Sequence, residues 1–237
     1  GSSSTISGTS QLISVPYALH ASTADRIAGG GDGSPTDRII DKDGNTRVEV
    51  EKNNNENIIR FTLDGEEKWT MTSKRLESSN KNNNILIGKQ TGRTIYNGEG
   101  NIAIGDSSLF RINNGNFNIA VGLQSLYNNT SGGNNVSIGT KSLYLNNTGS
   151  NNTAIGYEAI FSNDYGFYHV ANGFQSLYNN GQGSGKCAIC SSSLYSNTKV
   201  GRNSAVGYQS LYSNTEGARN SAIGSGALYS NITGDGN

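Results

Sequence analysis

Few residues in this chain are of a kind that does chemistry. Cys187 and Cys190 form one Cys-x-x-Cys pair, and they are the only cysteines. That spacing suits a redox dithiol or half of a tetrahedral zinc site. The histidines, His20 and His169, do not lie at a spacing that would complete such a set. The pair therefore reads as structural: small, buried, free thiols. Asp41-Lys42-Asp43-Gly44-Asn45 has the composition of a calcium loop. Its glycine falls at the fourth position, whereas an EF-hand loop needs it at the sixth, so it reads as a turn. Glycan cleavage needs two carboxylates facing across a groove. The second half of the chain offers only scattered ones, such as Glu158 and Asp164. No phosphate-binding loop, dinucleotide fingerprint or Ser/His/Asp set is present. The expectation is a protein that is not an enzyme, with no catalytic residue, no metal ligand and no cofactor.

Charge and hydropathy narrow the partners. Eighteen basic and eighteen acidic residues give a formal net charge of zero. There is no basic stripe, so a nucleic-acid partner is not expected. No apolar run is long enough to cross a bilayer, so membrane insertion is not expected. The Asn-x-Ser/Thr sequons, such as Asn135-Val136-Ser137, follow from the abundance of Asn.

The elements that must position these residues are set by a repeat. Gly88, Gly105, Gly122, Gly139, Gly156, Gly173, Cys190, Gly207 and Gly224 are spaced by 17 residues without interruption. Other columns keep the same step. Ile or Val precedes the glycine, with Asn172 the exception; from Gly105 on, Leu follows it by four residues, with Ile160 the exception, and Tyr or Phe follows by five. An Asn column runs from Asn129 to Asn231, and a second Gly column from Gly98 to Gly234 is broken at Val200. The unit is N-x-A-I-G-x-x-S-L-Y-x-N-T-x-G-x-x. A register this strict over two thirds of a chain predicts a solenoid.

Seventeen residues are too few for a pair of helices. The Gly and Asn columns mark two turns per unit, because both residues tolerate positive φ. Asn101-Ile102-Ala103-Ile104-Gly105 predicts a short strand with Ile102 and Ile104 on one face, expected to point inward. Ser-Leu-Tyr predicts a second short strand. Successive coils would stack at about 4.8 Å, giving a rod roughly 40 Å long, with like residues piled on like and Asn ladders along the stack. The core expected from this is thin: an Ile/Val pair, a Leu and a Tyr per coil. The chain is only 33% hydrophobic, with mean hydropathy −0.53. Burial at about 25 cal/mol per Å² must offset about 1–2 kcal/mol of backbone entropy per residue. That balance argues for oligomerisation, without fixing the number of chains.

These N-x-A-I-G repeats resemble the head repeats of trimeric autotransporter adhesins. The version carrying S-L-Y-x-N-T-x-G is closer still to repeats in phage tail-fibre-like and surface fibre proteins of Bacteroidota, many of which end in a self-cleaving chaperone domain of the endosialidase type. The resemblance covers about 83–237. It implies an all-β, left-handed parallel β-roll of nine coils, three chains packed around a threefold axis, and a fibre or adhesin role. It carries over no catalytic residue. Asn172, Cys190 and a first coil with Gly92 and Arg93 in place of Leu-Tyr depart from the pattern.

The first eighty residues have no such step. Arg47 to Glu51 alternates, Ile58 to Leu63 predicts a second strand, and Asp64-Gly65 predicts a hairpin turn into Lys68 to Met71. This is a small β-meander over 36–80, too small for an independent core. Residues 1–35 form a linker or cap segment, with a strand expected at Leu12 to Val15 and a short helix from Tyr17 to Ile27, Pro16 at its start and Gly29 at its end. Asn237 would open a tenth coil, so the array is expected to continue.

Two positions in the repeat are candidate sites. Asn172 replaces an inward-facing Ile and in a trimer would place three amides near the axis, where water or an ion could be held. Tyr127, Tyr144, Tyr178, Tyr195, Tyr212 and Tyr229 would form a ladder that either binds sugar rings or packs between chains. The expected function is a homotrimeric shaft or head of a bacterial surface adhesin, phage tail fibre or phage-tail-like injection system. It would act extracellularly, joined to a larger particle through its N-terminal end, with a cell-surface glycan or protein as receptor. The alternatives are a tailspike-type protein that binds or cleaves glycan and a monomeric ice- or carbohydrate-binding solenoid. The broken Thr column at Thr130, Thr198 and Thr215 disfavours the last.

Overall fold

The computed structural model describes residues 37–40, 46–50, 58–72, 76–78, 82–199 and 201–237. The strand and helix expected before residue 36 and the Asp41 to Asn45 turn lie outside them. Among the described residues every regular element is a strand. The chain divides into two units, 1–79 and 80–237.

The first unit is a five-stranded antiparallel meander: β1 (Asp37–Ile40), β2 (Arg47–Val50), β3 (Ile59–Leu63), β4 (Glu66–Met71) and β5 (Leu76–Ser78), paired in chain order. Asp64 (φ 53°) and Gly65 (φ 74°) turn β3 into β4 with two residues in the left-handed region. That twist suits a two-residue hairpin, as the Asp-Gly dipeptide predicts. Phe61 faces Trp69 across the pair, and the register shifts between Phe61 and Thr62. Phe61, Leu63 and Met71 stay exposed, while Thr62 and Glu49 are buried; Arg47 Nε meets Glu49 Oε2 at 3.0 Å.

The second unit is a parallel β-solenoid. Nine strands form one sheet: β6 (Ile85–Ile87), β7 (Ile102–Ile104), β8 (Ile119–Val121), β9 (Val136–Ile138), β11 (Thr153–Ile155), β13 (Val170–Asn172), β14 (Cys187–Ile189), β15 (Ser204–Val206) and β16 (Ser221–Ile223). Each residue pairs with the one 17 positions on, as Ala154 does with Ala171. The short β10 (Leu145–Asn146) and β12 (Ser162–Asn163) pair on another side of the coil.

Three findings differ from the sequence expectation. First, the Ile/Val column does not face the coil interior. Ala103, Ala120, Ala154, Ala171, Ala188 and Ala205 have no exposure, whereas Ile104, Ile138 and Ile155 are 36–40% exposed. The interior is too narrow for a β-branched side chain opposite the Leu column, so the small residue of each A-I pair turns inward. Second, Ser-Leu-Tyr is a turn and not a strand. Leu109, Leu126, Leu143, Leu177, Leu194 and Leu211 hold φ between 47° and 52°, and Ile160 holds φ 47°. A left-handed residue breaks an extended run and aims Leu at the Ala column. The conformation costs on the order of 1–2 kcal/mol per residue, against about 1.5–3 kcal/mol for burying the side chain. Third, Tyr is not core; it stands half-buried on the outer surface.

Polar ladders complete the interior. Asn101, Asn118, Asn135 and Asn152 are fully buried. Each Oδ1 accepts the backbone N–H of the residue one coil on, as in Asn118 N–H to Asn101 Oδ1 at 2.9 Å. Each Nδ2 donates to a glycine carbonyl, as in Asn101 to Gly115 at 2.9 Å. A second ladder links Asn146 Nδ2 to Asn129 Oδ1 at 2.9 Å and to Gly149 O at 2.9 Å. The Asn columns of the repeat are therefore hydrogen-bonded along the stack, as the sequence predicts.

The marker glycine is a steric requirement. Gly139 sits at φ 137°, and a Cβ there would lie 2.3 Å from Gly156 O. Gly139→Ala is expected to abolish the single cooperative unfolding transition, because a fault in a middle coil splits a nearest-neighbour array. Leu177→Ala should cost about 2–5 kcal/mol. Both are measured by denaturant unfolding, and a loss below about 1 kcal/mol for Leu177→Ala would refute the assignment of that column to the core.

Candidate functional site

The outer aromatic column is one continuous stack. Phe110, Tyr127, Tyr144, Phe161, Tyr178, Tyr195, Tyr212 and Tyr229 follow one another with centroids 4.8–5.2 Å apart. The Arg93 guanidinium covers the first ring at 5.5 Å. Each ring pair contributes about 0.5–1.5 kcal/mol beyond its burial. Both faces of every ring from Tyr127 to Tyr212 are occupied by neighbours, so a ligand on this column meets ring edges and hydroxyls. Burial raises the pKa of Tyr178 and of Tyr212, helped by Glu158 beside Tyr178 and by neighbouring tyrosines at both. A shorter stack pairs Tyr157 with Phe174 at 5.4 Å.

Asn172 ends β13 on the face that carries the Ile/Val column, and it is exposed. Its inward-facing neighbour is Ala171. It therefore belongs to the outer face of the sheet and not to the coil interior. Cys187 and Cys190 are free, as expected, but not buried: Cys187 is half-buried on the outer face, and Cys190 is exposed. Cys190 takes the marker position at φ 95°, less extreme than the 120–142° of the glycines there. Among the described residues no three of His, Cys, Asp and Glu gather where they could hold a metal ion.

The carboxylates Glu158 and Asp164 are not brought together. Glu158 accepts from Gln175 Nε2 at 2.8 Å. Asp164 lines a groove of about 440 Å³ with Arg111, Asn128, Asn147 and Ser162, to which Glu158 does not contribute. The Thr130 and Thr198 hydroxyls turn to the next coil: Thr130 Oγ1 donates to Asn147 Oδ1 at 2.6 Å, and Thr198 Oγ1 to Thr215 O at 3.5 Å. They do not form a flat donor array. A second groove, of about 360 Å³, lies between Arg202 and Arg219.

The most anomalous chemistry is inside the coil. The first Asn ladder continues through His169 and Lys186 before Asn resumes at Asn203. Both are fully or almost fully buried. The His169 N–H still donates to Asn152 Oδ1 at 3.0 Å, and its Nδ1 accepts the Lys186 N–H at 3.3 Å. Its Nε2 makes no hydrogen bond of ordinary geometry, and the Gly183 backbone offsets only part of the effect of burial. Burial, and then the Lys186 charge, push the His169 pKa down to about 3. Lys186 Nζ donates to Asn180 Oδ1 and to Gln182 O, the latter at 2.8 Å. Burial lowers its pKa to about 7. Lys186 takes Asn180 Oδ1, the atom that the ladder would offer to Asn197 Nδ2, so the second ladder breaks there; Asn197 Oδ1 is without a partner as well. The 17-residue register does expose this fault, since Lys186 occupies the Asn column of the unit, but an eye on Ile and Gly passes over it.

Comparison with family models, with curated proteins and with solved structures found no match.

The ladder fault sets a pH dependence. Lys186 has a lower pKa folded than its ordinary 10.5, so between pH 7 and about 10 the unfolded chain binds the extra proton and stability rises with pH. His169 is likewise lowered from 6.5, so stability falls as pH drops from 6.5 toward 3. Lys186→Asn should restore both ladders, stabilise the unit by about 1–3 kcal/mol at pH 7 and flatten the alkaline rise. Urea unfolding across pH 6–10 tests this; an equal alkaline rise in the variant would remove Lys186 as its source.

Proposed function

We propose that the chain is a segment of a homotrimeric extracellular fibre, a shaft or head through which a bacterial surface, phage or phage-tail-like particle attaches to a target cell. One observation carries the reading. The outer face of the nine-stranded sheet presents two straight columns, from Ile85 to Ser221 and from Ile87 to Ile223, without a charged residue in either. Ile87, Ile104, Ile119, Ile138, Val170 and Ile189 are exposed along it. A mostly apolar face of this kind, free of charge and with Thr153, Asn172, Ser204 and Ser221 its polar members, suits a chain contact. A second copy of the same chain matches it best, because the copy brings an identical ladder at the same spacing. The meander leaves Phe61, Leu63 and Met71 exposed in the same way.

The resemblance of the repeats to trimeric adhesin heads supplies the number three. In such an assembly Asn172 interrupts the apolar columns with an amide from each chain. No residue is proposed for catalysis. Attachment would be multivalent: repeated copies of a surface along a stiff body raise avidity without a tight single site.

Light scattering should give a mass near three times 25.0 kDa. Ile138→Asp with Ile155→Asp, on the outer face, should reduce that mass while circular dichroism keeps its β signature. A stable wild-type monomer of 25.0 kDa would overturn the proposal.

A further inference from the structure

Each coil enters its strand through a residue in the left-handed region. In middle coils that residue is Asn134 or Asn151, which adopts the conformation readily. In two successive coils it is Arg202 (φ 63°) and Arg219 (φ 58°). Arginine has no conformational reason to be there. Both side chains are exposed, and among the described residues neither forms an ion pair. The carboxylates nearest in the register are engaged: Glu216 meets Lys199 at 3.5 Å, and Asp235 Oδ1 accepts the Ala218 N–H.

The two arginines flank the groove of about 360 Å³, together with Ser184, Gly201 and Ala218. That volume is within the ordinary range for small ligands. Its floor is bare backbone, because a Cβ on Gly201 would lie 2.2 Å from Ser184 O. Ser184 Oγ accepts the Phe167 N–H at 3.3 Å, which leaves its own hydrogen to donate. Stacked coils hold the two arginine backbones about 4.8 Å apart, and both side chains line the one groove. Like charges on one groove repel, and an oxyanion between them reverses the sign.

We propose that the Arg202–Arg219 groove binds the carboxylate or sulfate group of an acidic saccharide. Two guanidinium forks and a hydroxyl suit one oxyanion, bound bidentately. They do not suit a phosphodiester backbone, which needs a basic track; the same column carries Asn, Tyr, Phe or Gly in the other coils. The biological use of this site rests on the attachment reading above, but the binding does not.

The test compares the full chain with R202N/R219N, which places at both positions the residue found at Asn134 and Asn151 and so preserves the fold. The probes for calorimetry at fixed salt are a chondroitin sulfate oligosaccharide, a neutral dextran oligosaccharide and a short single-stranded DNA. Saturable binding of the sulfated oligosaccharide alone, weakened by about tenfold or more in the variant, is expected from the loss of two charge-assisted contacts. Equal affinity in the variant overturns the site. DNA bound as tightly as the saccharide overturns the ligand class. A drop in mass of the variant by light scattering assigns the arginines to a chain contact and also overturns the site. A wild-type monomer that still binds the saccharide sinks the trimeric fibre and leaves the groove standing.

Discussion

The solenoid depends on one geometric constraint: every coil must return to the same place after 17 residues, so that backbone meets backbone without an intervening side chain. The two glycine columns are where the approach is closest. A Cβ on Gly132 would lie 2.2 Å from Gly149 O, and one on Gly139 would lie 2.3 Å from Gly156 O. This approach makes the cross-section small. A small cross-section limits the interior to one Leu, one Ala or Ser, and hydrogen-bonded Asn and Ser from each coil. The left-handed Leu is part of the same solution, since it bends the chain and fills the centre in one residue.

A core of this kind is polar by ordinary standards, yet it is satisfied along most of its length, with Ser108, His169 and Asn197 the exceptions in the stack. Asn side chains bond up and down the stack, and Ser137 Oγ accepts from Ser125 Oγ at 2.7 Å and donates to Ser142 Oγ at 2.8 Å. Buried amides of this sort contribute only while each partner is present. Apolar residues that do not fit inside are displaced outward, which is why the face most useful for association is also the most apolar. The interior selects for small and polar groups, and the surface inherits the Ile and Tyr ladders. Stability and the capacity to associate thus have one origin.

His169 and Lys186 show what happens when the column rule is broken. Lys186 has no oxygen to pass to the Asn203 N–H. It reaches sideways instead, takes Asn180 Oδ1 and removes that acceptor from Asn197 Nδ2. One substitution thereby interrupts both ladders at adjacent coils. On the outside a departure from the pattern, such as Arg202 and Arg219 in a position suited to Asn, leaves the stack intact and adds charge to a groove.

From the amino-acid sequence alone the step, the parallel stacking, the Asn ladders, the Asp64-Gly65 hairpin and the antiparallel meander were all legible. Each of these follows from periodicity or from the φ preference of one residue type, and those are local properties. Tertiary structure decided which face of the strand is inside. Alternation places Ile102 and Ile104 together and Ala103 opposite, but it is silent on which side closes. Hydrophobicity pointed to Ile; the width of the coil chose Ala. The same width converted Ser-Leu-Tyr from a strand into a turn, in which the Leu of that column reaches the centre from the left-handed region. It also set the two cysteines and Asn172 on the outer side of the coil. The Arg202–Arg219 groove and the pairing of Lys186 with Asn180 became visible only once coils were stacked, since each joins residues from different coils or from opposite sides of one.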